Sequence, residues 1–574
     1  MSQRKLKKLR QLEKVVEVKN EEVVEEFGGK DQSFFMIVKK NWVYLTLLIL
    51  GIVVVYFNAM NGAFVSDDYA TIPNNPKIMD MSDTLGDTFS FVTLSNSVIA
   101  NLFGVGSPVP YHVYSLVVYL VICVLAFVFV YLLLGEKVAY LSTVLYALLP
   151  IHVEAVSWIS GKPYILATIF MLAALCSFLL FLKTKKKIYL WLLVGFEFLA
   201  SFCAKVQFLS FFLIVSGYML IYRKRHKIKI GKFFMVIIGV LILSFVLLAP
   251  AINQRINVVN SGYNFSEGIF YSPFFQYPTS IAKYLQLILV PVDLTLYHTM
   301  YVFPVWLNWA IMLTYLVCLI YFYFKNKNIF FSLAFIFLAA APSMAPVKVS
   351  WLVAERYMFF GSLGFCMFLA LILQDISSRV RHVVPGILVT MLAFYSVRIF
   401  FRNIDWQTNH NLWVNTCQVS PNSHNAWNNI GDDYDKLAQY DNAIKGFTQS
   451  VLVKPNYADA YHNRANIFFK TGRLDLARDS YNTALYYSPT LYQTYISLTQ
   501  IDLMERNFVL AEEHAKKVVE LQPNNPQTNY VLAIVYAQMG RRDEAKSILT
   551  AILKSFPEFN LAKQALVALE SGRT

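Results

Sequence analysis

The sequence predicts an all-α protein in two parts, a polytopic helical membrane domain followed by an α-solenoid. Three observations carry this. Hydrophobic residues make up 56% of the 574 and charged residues 15%, and the mean hydropathy is +0.47. A soluble fold cannot hide that much apolar surface, so most of the chain belongs in a bilayer. Apolar runs recur between Trp42 and Phe401. Beyond them the chain turns polar and periodic. A soluble enzyme, a fibrous protein and a disordered chain are excluded. The net charge of +14 comes from 50 basic against 36 acidic residues. Beside membrane spans such charge sets orientation, and no nucleic-acid partner is expected. Five of the six cysteines lie in apolar runs and only Cys417 is in a polar segment, so they read as small core residues.

Residues 1–40 form a charged tail. Arg4, Lys5, Lys7, Lys8 and Arg10 open it, and a Glu-rich stretch follows. Charged residues precede the first apolar run, which is unlike a signal peptide, so the tail is expected in the cytosol. Residues 41–402 form the membrane domain. About eleven spans are expected, near 42–60, 110–134, 138–150, 163–182, 188–205, 207–222, 232–252, 304–324, 329–345, 357–373 and 383–401. The run 138–150 is short for a crossing. If it crosses, the clusters Lys183/Lys185/Lys186/Lys187, Arg223/Lys224/Arg225/Lys227/Lys229, Lys325/Lys327 and Arg379/Arg381 all fall inside. The stretch 281–292 reads as an interfacial or re-entrant helix. The loops 61–109, 151–162, 253–303 and 346–356 then lie outside the cytoplasm, with everything after Arg402.

Residues 403–574 form the second domain. Pro421, Pro455, Pro489, Pro523 and Pro557 fall at steps of 34, in register with Ala443, Ala477, Ala511 and Ala545. Trp427, Tyr461 and Tyr495 keep the same step. Small Ala lets two helices approach, aromatics fill the gap between repeats, and Pro ends the second helix. With Trp427-x2-Ile430-Gly431-x2-Tyr434 this fits the tetratricopeptide pattern. Repeats are expected at about 424–457, 458–491, 492–525 and 526–559, with a capping helix at 560–571.

Chemistry-bearing residues gather at the outer membrane edge. Asp67 and Asp68 follow the first span; carboxylates there can act as a general base or bind metal, or merely cap a helix in a wet loop. His152 and Glu154 share a short loop with Trp158 and Lys162, where an interfacial belt is the plain alternative. Glu355 and Arg356 open the span 357–373 and could simply snorkel. Otherwise Arg356 suits a phosphate clamp. His112, at the outer end of the second span, is the weakest candidate.

In order, these pieces are Val65-Ser66-Asp67-Asp68, Pro150-Ile151-His152-Val153-Glu154 through Trp158-Ile159-Ser160-Gly161-Lys162, Val353-Ala354-Glu355-Arg356-Tyr357, Ser362-Leu363-Gly364-Phe365-Cys366 and Asp405-Trp406. Followed by the repeats, the order resembles the TMTC proteins, transmembrane and tetratricopeptide-repeat O-mannosyltransferases of the GT-C glycosyltransferase superfamily. The resemblance implies a polyprenyl-phosphate-linked sugar donor and extracytoplasmic, inverting chemistry. It implies a base at the Asp67–Asp68 pair. In that frame Arg356 and Lys162 are read as contacts to the lipid phosphate, with His152, Glu154, Glu355 and His112 as further donor contacts. Two departures stand out. Gly161-Lys162 replaces the family's Gly-Arg, and Val92-Thr93-Leu94 replaces its Arg-Pro-Leu, so the sugar is mannose or another hexose. Two aspartates leave a divalent cation open; no organic cofactor is expected. The acceptor is expected to be Ser or Thr hydroxyls of extracytoplasmic polypeptides held by the repeats. A transferase for a cell-envelope glycan or lipid, and a membrane-anchored scaffold, are the alternatives. A prokaryotic plasma membrane is favoured over an ER membrane, since the loops are short and the N-terminal tail has no transit signal.

Overall fold

The computed structural model describes residues 33–81, 90–203, 207–226, 272–299, 303–344, 351–380 and 382–571, with isolated positions 235, 239 and 242. Every regular element among them is helical. The chain divides into two compact units, Met1–Asn415 and Thr416–Thr574.

Among the described residues of the first unit, seven helices are long and apolar enough to cross a membrane. They are Trp42–Asn61, Val109–Leu134, Ile159–Thr184, Val305–Lys325, Lys327–Met344, Ser362–Arg379 and Val383–Asp405. The chain is a multi-pass membrane protein. The short run 138–150 is resolved as a broken element: Glu136–Ala147 and Pro150–Ser157 meet at 56°. It still travels far. Tyr119 Oη donates to the carbonyls of Tyr146 and Ala147 (3.2 and 3.0 Å), so the chain has climbed back beside the middle of Val109–Leu134. That return from Leu134 to the level of Tyr119 is about 22 Å of helix. At its other end Glu136 meets Lys40 at 2.8 Å.

The remaining expected spans are shorter or lie elsewhere. Lys187–Ser201 has 15 residues, and the apolar part of Leu209–His226 stops at Tyr222. The span expected at 232–252 and most of the N-terminal tail, 1–32, lie outside the described residues. The stretch 281–292 belongs to a 17-residue helix, Pro273–Leu289, which carries Pro278 inside it and is not among the candidate spans. The span expected from 357 starts five residues later, at Ser362.

Burial separates core helices from peripheral ones. Of the most apolar window of Val109–Leu134, 72% is buried, and of Ile159–Thr184, 78%; Val305–Lys325 buries only 11%. The apolar faces of peripheral helices suit lipid. Close packing elsewhere depends on small residues. A Cβ on Gly364 would lie 2.6 Å from the Ser332 carbonyl oxygen, so only glycine lets Ser362–Arg379 rest directly on Lys327–Ala340.

The second unit contains four helical hairpins. The pairs are His424–Lys436 with Tyr440–Val453, Ala458–Lys470 with Leu474–Tyr487, Tyr492–Met504 with Phe508–Leu521, and Pro526–Gln538 with Arg542–Ser555. Asn560–Glu570 caps them. Ala443, Ala477, Ala511 and Ala545 are fully buried where the paired helices touch. One residue per hairpin turn is left-handed, again at steps of 34: Ala438, Gly472, Arg506 and Gly540, with φ of 56°, 73°, 58° and 78°.

Candidate functional site

The segment 150–162 organises the site. It winds through Pro150–His152, Val153–Ser157 and Ile159–Gly161 before Lys162–Thr184 begins. Pro150 opens the first turn, Trp158 is extended and breaks the helix, and Pro163 sits in the first turn of the long helix. Gly161 closes the segment on itself: a Cβ there would meet the carbonyl oxygens of Glu154 and Ala155 at 2.9 and 3.0 Å.

Its side chains reach four other parts of the chain. Ser160 donates from its backbone N–H (2.8 Å) and its hydroxyl (2.5 Å) to Asp68 Oδ1. Glu154 pairs through Oε1 with Arg356 Nη1 and accepts the Arg356 backbone N–H at 2.8 Å. His152 is hydrogen-bonded on both ring nitrogens, to Tyr119 Oη at 2.8 Å and Ser362 Oγ at 2.7 Å. Ser157 donates to Asn403 Oδ1 at 2.7 Å, and Trp158 stacks on Trp406 at 5.6 Å.

The two aspartates differ. Asp68 is wholly buried; besides Ser160, the Val65 N–H donates to its Oδ2 at 3.0 Å. Burial pushes its carboxyl up to about 6, against those hydrogen bonds and the charge of Lys162. Asp67 is exposed and its side chain caps nothing, although it precedes the helix Asp68–Thr71.

The cations are less free than the sequence suggests. Lys162 is fully buried; its ammonium donates to Asn96 Oδ1 at 2.6 Å and lies 4.8 and 5.4 Å from the Tyr111 and Tyr114 rings. Arg356 lies not in the span but one turn before it, in Glu355–Met358. The carboxylate that holds it is Glu154. Its guanidinium is ringed by Trp158, Tyr164 and Tyr357 at 5.5, 5.9 and 5.1 Å. It also lines a narrow cleft with Tyr164, Thr168, Met171, Gln207, Tyr357, Phe359 and Phe360.

Glu355 diverges from its neighbour. Its Oε1 accepts the Thr295 N–H at 2.6 Å and Arg402 Nη2 at 3.1 Å. Burial pushes it up to about 7, against the nearby Arg402. His112 meets the Gly62 carbonyl at 3.1 Å and packs under the first loop. No group of three or more His, Cys, Asp or Glu side chains is placed to hold a metal among the described residues.

The structure therefore joins Asp68, His152, Glu154 and Arg356 through one segment, and Lys162 opens the helix that follows it. Sequence reasoning missed Ser160, Asn96, Gln207 and Arg402. Only Arg402, a charge at the end of an apolar run, carried a sequence signal.

Tetratricopeptide repeat families match residues 424–457, 458–491 and 502–569. The human protein O-mannosyl-transferase TMTC3 is 24% identical, over 92% of this chain and 70% of its own length. The Caenorhabditis elegans protein O-mannosyl-transferase F38B6.6 is 23% identical, over 72% of this chain and 63% of its own. The chain is thus similar to TMTC3 over most of its length. The likeness to TMTC3 covers too much of it to rest on the repeats alone, so it takes in membrane helices as well. Among solved structures, a tetratricopeptide repeat protein from Parabacteroides merdae is 17% identical over 29% of this chain and 66% of its own, with a TM-score of 0.27.

Proposed function

We propose that the protein is a membrane glycosyltransferase that moves a hexose, mannose first among the candidates, from a polyprenyl-phosphate donor to Ser or Thr hydroxyls of extracytoplasmic proteins. The relatives named as protein O-mannosyl-transferases support the reaction class. The observation that carries the site is the segment 150–162, which ties the Asp67–Asp68 turn and Arg356 to one end of the helices.

In this reading the donor phosphate lies against the open edge of Arg356, with its isoprenoid along Met171, Phe359 and Phe360. Asp67 is the base, because it is the accessible carboxylate. Asp68 is a positioning residue, since both of its oxygens are already engaged. Asp67 takes the proton of the acceptor hydroxyl. The hydroxyl oxygen bonds to the anomeric carbon from the side opposite the phosphate, and the bond to the phosphate oxygen breaks with inversion. The lipid phosphate leaves with the electron pair, its charge held by Arg356. Lys162, shut away on Asn96, acts on Asp68 electrostatically rather than on the donor. The repeats hold the acceptor polypeptide in their concave groove.

Transfer from polyprenyl-phosphate mannose to a Ser/Thr-rich protein by the purified chain tests this. Arg356→Lys is expected to weaken donor binding although charge is kept, and Arg356→Ala further. A thermal response to polyprenyl phosphate that Arg356→Ala leaves unchanged sinks the phosphate assignment.

A further inference from the structure

Away from the aspartates, a second set of polar side chains is buried with little to bond. Helix Pro273–Leu289 carries Gln276, Lys283 and Gln286 at helical spacing along one face. Gln276 is 3% and Lys283 4% exposed, so a polar stripe is turned inward. The helix is fixed to the chain beside Arg356: Tyr284 Oη accepts the Ala354 N–H at 3.3 Å, and the Ser280 hydroxyl reaches the Leu352 carbonyl at 3.5 Å. Thr295 and Glu355, both fully buried, belong to the same region. Lys283 feels the charges of Glu355 and Asp293, yet it makes no ion pair or hydrogen bond among the described residues.

Several acceptors there are also unused. Gln276 Oε1, Gln286 Oε1, Thr295 Oγ1 and Glu355 Oε2 are buried and find no donor among the described residues. A buried polar atom left without a partner is costly. Orphaned acceptors along this face of the helix and on the neighbouring chain, with the side chain of Lys283 among them, point to a bound polar partner rather than to packing. Amide, hydroxyl and carboxylate oxygens and an ammonium ranged along one face suit a small molecule dense in hydroxyls. A phosphate would be repelled by Glu355, and an apolar chain would leave every atom unsatisfied.

We propose that the inward face of Pro273–Leu289, with Thr295 and Glu355, binds the pyranose ring of the lipid-linked donor. This rests on Arg356 as the phosphate contact, since Glu355 adjoins it. Sugar and phosphate are thereby separated: Arg356 reads the carrier, and Lys283 and Gln276 read the sugar hydroxyls.

The test is a thermal-shift titration of the full chain in detergent with two probes, polyprenyl phosphate and polyprenyl-phosphate mannose. Wild type is expected to bind the mannosyl form more tightly. Lys283→Met and, separately, Gln276→Leu should weaken the mannosyl form about tenfold and leave the bare lipid phosphate unchanged. Equal binding of the two probes by wild type overturns the proposal. So does a sugar-dependent difference that survives in both variants, which would mark the cleft as filled by water. Binding of neither probe by wild type would remove the Arg356 reading and this one together; loss of bare-phosphate binding in Arg356→Ala alone leaves that reading standing whatever Lys283→Met does.

Discussion

Asp67 and Asp68 are neighbours in sequence and opposites in setting, one open to solvent and one sealed under Ser160. Asp67→Asn should lower transfer by about 10²–10⁴, the range expected for a lost general base, with an unchanged melting temperature. Normal transfer by Asp67→Asn would remove it from the reaction. Asp68 should instead be visible in stability. Its carboxyl rises from 3.8 to about 6 on folding, so between those values the folded chain holds a proton that the unfolded chain releases. Stability from this group is therefore present at low pH and is lost as pH climbs through about 6, by roughly 2–3 kcal/mol. The melting temperature of wild type, measured against Asp68→Asn, should fall from pH 4 to pH 6 and level off above. A flat difference would mean that Asp68 is ionised throughout. Sequence was enough to find this pair, Glu154 and Arg356, because charged groups at an apolar boundary are costly and few. The partnerships were not readable. Glu154 and Arg356 stand 202 positions apart, and nothing in the composition around Asn96 distinguishes it as the partner of Lys162.

Elements differ in how far their contacts reach. Each hairpin of the repeats packs on its neighbour 34 positions away, and the periodicity records that contact directly, so helix bounds and the buried alanines follow from the sequence. The left-handed turn residue is also periodic, but Ala438 and Arg506 hide it because only the second and fourth turns use glycine. A side chain in that conformation costs about 1 kcal/mol or more. Ala438→Gly and Arg506→Gly should each stabilise the repeats by about 0.5–1 kcal/mol, seen as slower amide exchange in the flanking helices. Faster exchange would mean that the side chains contribute contacts worth more than the strain. In the segment 150–162 the opposite substitution is the harmful one. Gly161→Ala forces a methyl against two carbonyl oxygens and should destabilise the membrane unit by about 1–3 kcal/mol, measured as a lower melting temperature in detergent. The break between Glu136–Ala147 and Pro150–Ser157 was illegible for a related reason: an apolar run with a proline at its end does not say whether it crosses straight or bends by 56°.

At the scale of the whole molecule, two units of different chemistry share one chain. The ionisable groups read here as the reaction site all lie before residue 357, in the membrane unit. Removing 424–574 should therefore impair modification of a large folded acceptor more than hydrolysis of the donor by water. Equal loss of both activities would assign the repeats to support of the membrane fold.

The contacts of the segment 150–162 with the last span also bear on how the protein is made. Ser157 and Trp158 wait for Asn403 and Trp406, and Glu355 waits for Arg402, which are the last residues of the membrane unit to be synthesised before Asn409–Val419. Until Val383–Asp405 is inserted, a nascent chain carries the Glu355 carboxyl and the Ser157 hydroxyl without these counterparts, and polar groups left unpaired on burial are destabilising. Completion of the last span therefore supplies the partners that close the site, and a chain cut short before Arg402 is expected to melt at a lower temperature in detergent than one that includes it.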